Sequence, residues 1–311
     1  MSRAGKAAPP LSASEMIKAA IEEWIVVPGK ILVRNKKALV GFIITVCYII
    51  MAVVGPRVVP YPKNYTCPVY LPPTLFHWPP SLAHPLGCDY FGADIWSEIV
   101  WGAPTVLTIA FTAGFITTMV GITIGMLAGF LGGRIDTALM TATDIAMVIP
   151  GLPLLIVLTT VIRTTNPYFI GLILSVTAWA GLARSIRSQV LSLRNREFIE
   201  AAKALGLSTG HIVFREIMPN LMSYIAINFI FATTGAIYSS VGLYFLGMLP
   251  FKSVNWGIML NWAYTQGALS SLHTIHYILA PIAAIVGFQV GLILFSYAVD
   301  EMFNPRLRTE V

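Results

Sequence analysis

The chain has 311 residues, of which 56% are apolar and only 11% charged, and its mean hydropathy is +0.75. Soluble domains carry about 25% charged residues, so this composition excludes a water-soluble globular protein and requires most of the surface to face lipid or other buried helices. The net charge of +6 does not point to nucleic acid, because the basic residues sit in the gaps between apolar runs, where they orient a membrane protein.

Residues 1–37 form an N-terminal segment that carries charge throughout and has no isolated apolar core followed by a small-residue cleavage site, so no signal peptide is expected. Within it, Ser14 to Val27 reads as a short amphipathic helix on the inner membrane surface, stopped by Pro28-Gly29. Crossing the hydrocarbon core takes about 20 mostly apolar helical residues. Six stretches qualify: Ala38 to Val59, Pro104 to Leu131, Thr137 to Ile162, Tyr168 to Ala183, Leu221 to Leu246 and Ile278 to Val299. The expected fold is an all-α membrane protein with six transmembrane helices and an N-terminal surface helix. Its domains are the segment 1–37, a six-helix domain 38–300 and a tail 301–311.

Lys and Arg counts set the topology. With the N-terminus inside, the inner segments hold sixteen of the twenty basic residues, and the outer side keeps only Arg57, Lys63, Arg163 and Lys252. Both termini are therefore expected in the cytoplasm. Two outer loops are long, about 60–103 and 247–276. The first holds the sequon Asn64-Tyr65-Thr66 together with Cys67 and Cys88, a candidate disulfide where that loop faces an oxidising space. Cys47 lies in the first apolar run and reads as a small packed hydrophobe.

Inside the spans, Gly121, Gly125 and Gly129 recur at four-residue spacing, a ridge that lets another helix backbone approach closely. Asp144 is the acidic residue that falls within a span. Intramembrane charge is costly and faces a bundle interior or a wet path. The simpler reading is a structural pair with Arg184 or Arg187; the functional one makes Asp144, with Asn228 and Ser240 of the fifth span, a candidate pore or gate residue.

The longest inner loop, 184–220, is the most informative. Glu197 to Leu205 is Ala-rich with Glu in its first turn, a good helix. Gly206 suits its C-terminus, and Ser208 or Thr209 caps a second short helix. Pro219 marks the approach to the fifth span. The pattern Glu200-Ala201-Ala202, three residues, Gly206, then Pro219 resembles the cytoplasmic-loop signature of ABC importer permeases. Two positions depart from it: Glu216 stands where that pattern has Ile, and Met218 where it has Leu.

The likeness extends along the chain. Arg34-Asn35-Lys36-Lys37-Ala38-Leu39, His84-Pro85-Leu86-Gly87 with Asp89, Gly92 and Asp94, and Gly132-Gly133 with Asp136 are similar to segments of the oligopeptide/dipeptide/nickel permease family, C-type subunit. So are Asp144-Ile145 with Ile149-Pro150, Phe245-Leu246-Gly247, Trp256-Gly257 and the tail Asn304-Pro305-Arg306-Leu307-Arg308. Ala93, where the family usually has Arg, and Ser240, where an acidic residue is common, depart.

That resemblance implies a permease subunit of an ATP-driven importer of short peptides, working by alternating access, with oligosaccharides or nickel as alternative cargoes. It implies that Glu200 to Pro219 forms a coupling helix docking on a separate ATP-binding subunit. Implied partners are a second homologous permease, two ATP-binding subunits that bind ATP and Mg, an extracytoplasmic solute-binding protein and membrane lipid.

The residues of this chain offer no chemistry of their own. Gly206-Leu207-Ser208-Thr209-Gly210 matches a hydrolase elbow but sits between two helices without a matching acid–His pair. No phosphate-cradling Gly-x4-Gly-Lys and no His-Glu-x-x-His or paired Cys ligands occur, so no enzyme, resident cofactor or metal centre is expected. An ion-coupled secondary transporter, the rival reading, needs intramembrane carboxylates, and Asp144 alone serves poorly.

Overall fold

The computed structural model of the protein describes residues 27–63, 67, 80–270, 272 and 274–303. The expected surface helix (apart from Val27), the sequon at Asn64 and the tail 304–311 lie outside them. Helices dominate: α1 (Val27–Arg34), α2 (Lys36–Val58), α3 (Ile95–Leu131), α4 (Gly133–Val148), α5 (Gly151–Val161), α6 (Pro167–Arg194), α7 (Glu197–Ala204), α8 (Thr209–Phe245), α9 (Trp256–Thr265) and α10 (Ile275–Phe303).

Five helices are long and apolar enough to cross a membrane (α2, α3, α6, α8 and α10), and the bent pair α4–α5 supplies a sixth crossing if it is one span. That bend corrects the continuous third span read from sequence: the two halves meet at 83°. Its cause is local. Pro150 pushes the residue before it out of helical geometry, and Ile149 is extended at φ −69, ψ 122.

Other boundaries shift. Pro28 and Gly29 lie in the first described turn of α1, a place where proline is tolerated, and the helix expected to end there falls outside the described residues. α3 starts nine residues before the expected Pro104, because Asp94 caps it, its side chain accepting from the backbone N–H of Ser97. α6 continues past Ala183 to Arg194 and so projects beyond its apolar stretch. The segment 247–276, expected as an outer loop, carries α9. Its Trp256 is fully buried, and the indole N–H donates to the Ile99 carbonyl at 2.9 Å.

α3 is the central element and α6 its most extensive partner. The glycine ridge faces α6. A Cβ at Gly121 would sit 2.9 Å from Leu182, at Gly125 2.6 Å from the Ala183 carbonyl, and at Gly129 2.8 Å from Val190. Close approach recurs between α2 and α10, where a Cβ at Gly41 would lie 2.3 Å from the backbone N of Phe295. α2 is otherwise peripheral and presents Val40, Ile43, Ile50, Val53 and Val54 outward. Cys47 shares that outward face and is exposed rather than packed. Asn35 caps α2 and its amide donates to Glu301 of α10 at 3.3 Å, so the N- and C-terminal flanks lie on one face of the bundle.

Candidate functional site

The 184–220 loop folds as its residues dictate. α7 ends in a reciprocal pair of backbone bonds: Gly206 N–H to the Lys203 carbonyl at 3.0 Å and Leu207 N–H to the Ala202 carbonyl at 3.2 Å. This pairing needs a left-handed residue between, and Gly206 supplies it at φ +72. Ser208, not Thr209, caps the next helix, accepting from His211 N–H at 3.3 Å. The start of α8 then widens into a π-helical stretch, Ile212–Ile217, directly before Met218-Pro219. Proline has no N–H and its ring crowds the carbonyl four residues back, so the widened turn falls where a regular helix would be strained. Glu216 faces His211 across this stretch at 3.8 Å.

This loop has two faces. Ile199, Ala202, Ile212 and Ile217 are buried and share one core with Ile122 and Met126 of α3 and Ile186 and Val190 of α6. Glu200, Ala201, Leu205 (79% exposed), Leu207 and Phe214 (65% exposed) face outward. Among the described residues Glu200 forms no side-chain hydrogen bond or ion pair. The short helix is thus rigidly seated on two spans while presenting a surface of apolar and charged side chains that none of the described residues covers.

Beside it, α4 is clamped to α6 by two ion pairs. Asp144 pairs with Arg184. Asp136 takes Arg187 in a two-pronged grip, Nε to Oδ1 at 2.5 Å and Nη2 to Oδ2 at 2.6 Å. The two acid–base pairs divide the arginines that sequence reasoning offered to Asp144 alone. Because a lysine ammonium cannot reproduce the planar fork, Arg187→Lys is expected to lower stability by about 1 kcal/mol, modest because the site is partly open to solvent. A thermal melt of the purified chain checks this; Arg184→Lys, in a more exposed pair, should move it less.

The other pore candidates separate. Asn228 borders a cavity of about 290 Å³ between α3, α6 and α8, together with Thr117 and Ser239. Ser240 does not: it is fully buried and its hydroxyl donates to the Ile237 carbonyl at 3.0 Å. The cavity-facing hydroxyl is that of its neighbour Ser239, a one-residue difference that helical phase decides and composition cannot.

Sequence reading missed a polar cluster at the N-terminal end of α3. Glu98 is buried in the first turn, Asp94 accepts from Ser97 and His84, and Asp89 accepts from the N–H groups of Phe91 and Ala93 at 2.9 and 2.6 Å. Burial raises the Asp89 carboxyl to about 6 against the downward pull of those two backbone donors. Setting the start of the span at Pro104 hid Glu98; the signal was the Asp94-x-x-Ser97 cap. In the same segment Cys67 and Cys88 are disulfide-bonded, with Cα atoms 6.6 Å apart.

Residues 121–309 match the family described as binding-protein-dependent transport system inner membrane component, and residues 30–73 match the N-terminal transmembrane domain of oligopeptide transport permease C. The dipeptide transport system permease protein DppC of Bacillus subtilis is 34% identical over 235 residues, 73% of this chain and 70% of that protein. The oligopeptide transport system permease protein OppC of the same organism is 33% identical over 230 residues, 73% of each. Among solved structures, a chain of the MetNI methionine ABC transporter in an inward-facing conformation aligns with 65% of this chain and 96% of its own length at 18% identity and TM-score 0.46.

Proposed function

The chain belongs to the family of binding-protein-dependent transport system inner membrane components, and on that premise we propose that it is the C-type permease subunit of an ATP-driven importer of short peptides. The peptide cargo is favoured by the relatives named for dipeptides and oligopeptides. The observation that carries the coupling role is the two-faced loop, anchored through Ile199, Ala202, Ile212 and Ile217 yet exposing Glu200, Leu205 and Phe214.

In this reading a separate ATP-binding subunit covers that exposed face. α7 is short and is tied at both ends to spans, so a displacement applied to it moves α3, α6 and α8 together rather than being absorbed locally. Two ATP-binding subunits, acting on this chain and on a second homologous permease, would switch the path between outward and inward access. The wet side of that path would include Asn228 and Ser239. ATP and Mg would be held by those partners, and this chain would do no bond chemistry.

The basic asymmetry of the loops supports a cytoplasmic side for α7 and both flanks. The segments before α3 and around α9 would then face the solute-binding protein. Domains follow: an N-terminal segment 1–37, the permease bundle 38–300 with its coupling loop 184–220, and the tail 301–311.

Reconstitution in vesicles tests the reading. With candidate ATP-binding and permease partners and a solute-binding protein present, uptake of labelled short peptides is expected only when ATP is supplied on the partner side. Uptake driven by a proton gradient with this chain alone would overturn it in favour of a secondary transporter.

A further inference from the structure

α2 and α10 are packed tightly at one end and parted at the other. A Cβ at Gly41 would lie 2.3 Å from the backbone N of Phe295, and one at Gly291 2.6 Å from Ile44. Further along, Tyr48 still closes the pair, its ring tilted against Phe288 with centres 5.3 Å apart. Beyond that contact the helices leave a groove of about 660 Å³. Cys47 to Val59 of α2 form one wall, Ala280, Ala283 and Ala284 of α10 the other, and Ile99 and Val100 of α3 the floor. The alanines open it, because α10 offers only methyl groups opposite Met51 and Val54.

The groove has the dimensions of one leaflet. Cys47 is the midpoint of α2, which runs from Lys36 to Val58. The twelve helical steps from Cys47 to Val59 cover about 18 Å, against about 15 Å for half of the hydrocarbon core. The lining is apolar apart from Tyr48 and Cys47, so it lacks the two to four polar partners that hold a water. Left void, it would forfeit dispersion contacts along all three walls.

At its far edge the chemistry changes. Val58, Val59 and Trp96 also border a second pocket of about 680 Å³, lined by Tyr61, Lys63, His84, Asp94 and Ser97. Aromatic side chains mark this level as the membrane–water interface. The Trp101 indole donates to the Val59 carbonyl at 3.0 Å, and Tyr61 packs edge-on against Trp101 with centres 4.9 Å apart. The pocket's carboxylate, Asp94, is taken up by His84 at 3.0 Å and by Ser97. Lys63 is exposed in the pocket, and Arg57 lies in the last turn of α2 at the same rim. The rim therefore favours an anion, directly above an apolar slot.

We propose that groove and rim together are a binding site for one phospholipid. A hydrocarbon tail lies between α2, α3 and α10 with its methyl end at Cys47, and the phosphodiester sits beside Lys63. Lipid against a single convex helix has neither three walls nor a fixed head position; this site supplies both. The tail fills the wedge that keeps α2 apart from α10, so the lipid acts as part of the packing at that end.

Photo-cross-linking of the full chain in detergent micelles tests this. The probe is a phosphatidylglycerol carrying a diazirine at the methyl end of one tail, with cross-linked peptides mapped by mass spectrometry. We expect saturable labelling centred on residues 47–51, competed by unlabelled phosphatidylglycerol and not by a diacylglycerol, which lacks the phosphate. A second probe with the diazirine on its headgroup should label 60–63 and 83–85 instead. Ala283→Trp plugs the groove from an exposed position on α10 and should cut tail labelling at least about tenfold. Val290→Trp, exposed on the same helix outside the groove, should leave it at the parent level. Lys63→Glu reverses a charge at the rim and should also weaken labelling about tenfold. On the parent alone, labelling that does not saturate, spreads evenly over the exposed faces of α2 and α10, or is competed equally by the diacylglycerol would overturn the site. Parent-level labelling of Ala283→Trp or of Lys63→Glu would do the same. So would loss of tail labelling once a second permease is assembled with the chain, which would assign the groove to that protein.

Discussion

Gly206→Pro is expected to abolish ATP-driven peptide uptake while leaving the bundle inserted and folded. The native residue sits at φ +72 and donates its N–H to the Lys203 carbonyl. Proline is held near φ −65 and has no N–H, so it removes both the left-handed turn and one of the two bonds closing α7. The damage stays local, because a side chain at Gly206 meets no atom within 4 Å. Gly206→Ala separates the two effects. It keeps the N–H and pays only the left-handed conformational penalty, about 1–2 kcal/mol, so it should slow transport far less. Glu200→Lys complements both. Its carboxylate is exposed, so stability should stay within about 0.5 kcal/mol of the parent. Reversing its charge at a docking face costs several kcal/mol if the partner is complementary, and uptake should drop at least about tenfold, since 1.4 kcal/mol is one decade. Uptake and substrate-stimulated ATP hydrolysis by the reconstituted complex, beside a thermal melt, are the readouts. Parent-level uptake in both Gly206→Pro and Glu200→Lys would remove the coupling role from this loop.

Legibility from sequence followed how local each determinant is. Apolar runs long enough to cross a bilayer require only composition, so all five long helices fall on expected stretches. Loop 184–220 was readable because a glycine with positive φ, a capping serine and a proline act on their immediate neighbours: Gly206, Ser208 and Pro219 each occupy the structural place their chemistry suggests. Failures came where the third dimension decides. The angle between α4 and α5 depends on how two apolar halves pack once Pro150 has broken the helix between them. Which of Ser239 and Ser240 borders the cavity beside Asn228 depends on the rotation of α8 about its axis. Glu98 was hidden because a carboxylate near a span's expected end reads as loop until Asp94 is seen to cap the helix. Trp256 falls in a stretch expected as a loop, yet its burial against Ile99 needs a contact 157 residues away in sequence.

Gly125→Leu is expected to be the most destabilising single substitution on the α3 ridge. Its Cβ alone would lie 2.6 Å from the Ala183 carbonyl and 2.7–2.8 Å from Ile186, and two of these three contacts cannot rotate away. Lipid gives no hydrophobic drive to hold helices together, so association rests on close packing of the kind small residues permit. Forcing α3 and α6 apart therefore loses contacts along the whole seam, and a cost of about 3 kcal/mol or more follows from overpacking a filled core. Gly181→Leu on α6 is the control. Nothing lies within 4 Å of a Cβ there, so the larger residue should be tolerated and gains the helix propensity glycine lacks, about 0.8 kcal/mol. Unfolding of the purified chain in mixed micelles compares them, and equal stability of the two variants would discard the seam. The consequence reaches the loop. Gly129 faces Val190, which with Ile186 and Met126 forms the seat of Ile199 and Ala202. Gly129→Leu should thus raise hydrogen exchange across residues 197–217 and weaken coupling without touching any residue that faces the partner. A lever transmits force only as well as its fulcrum is packed, and in the proposed coupling role the fulcrum would be this row of missing side chains.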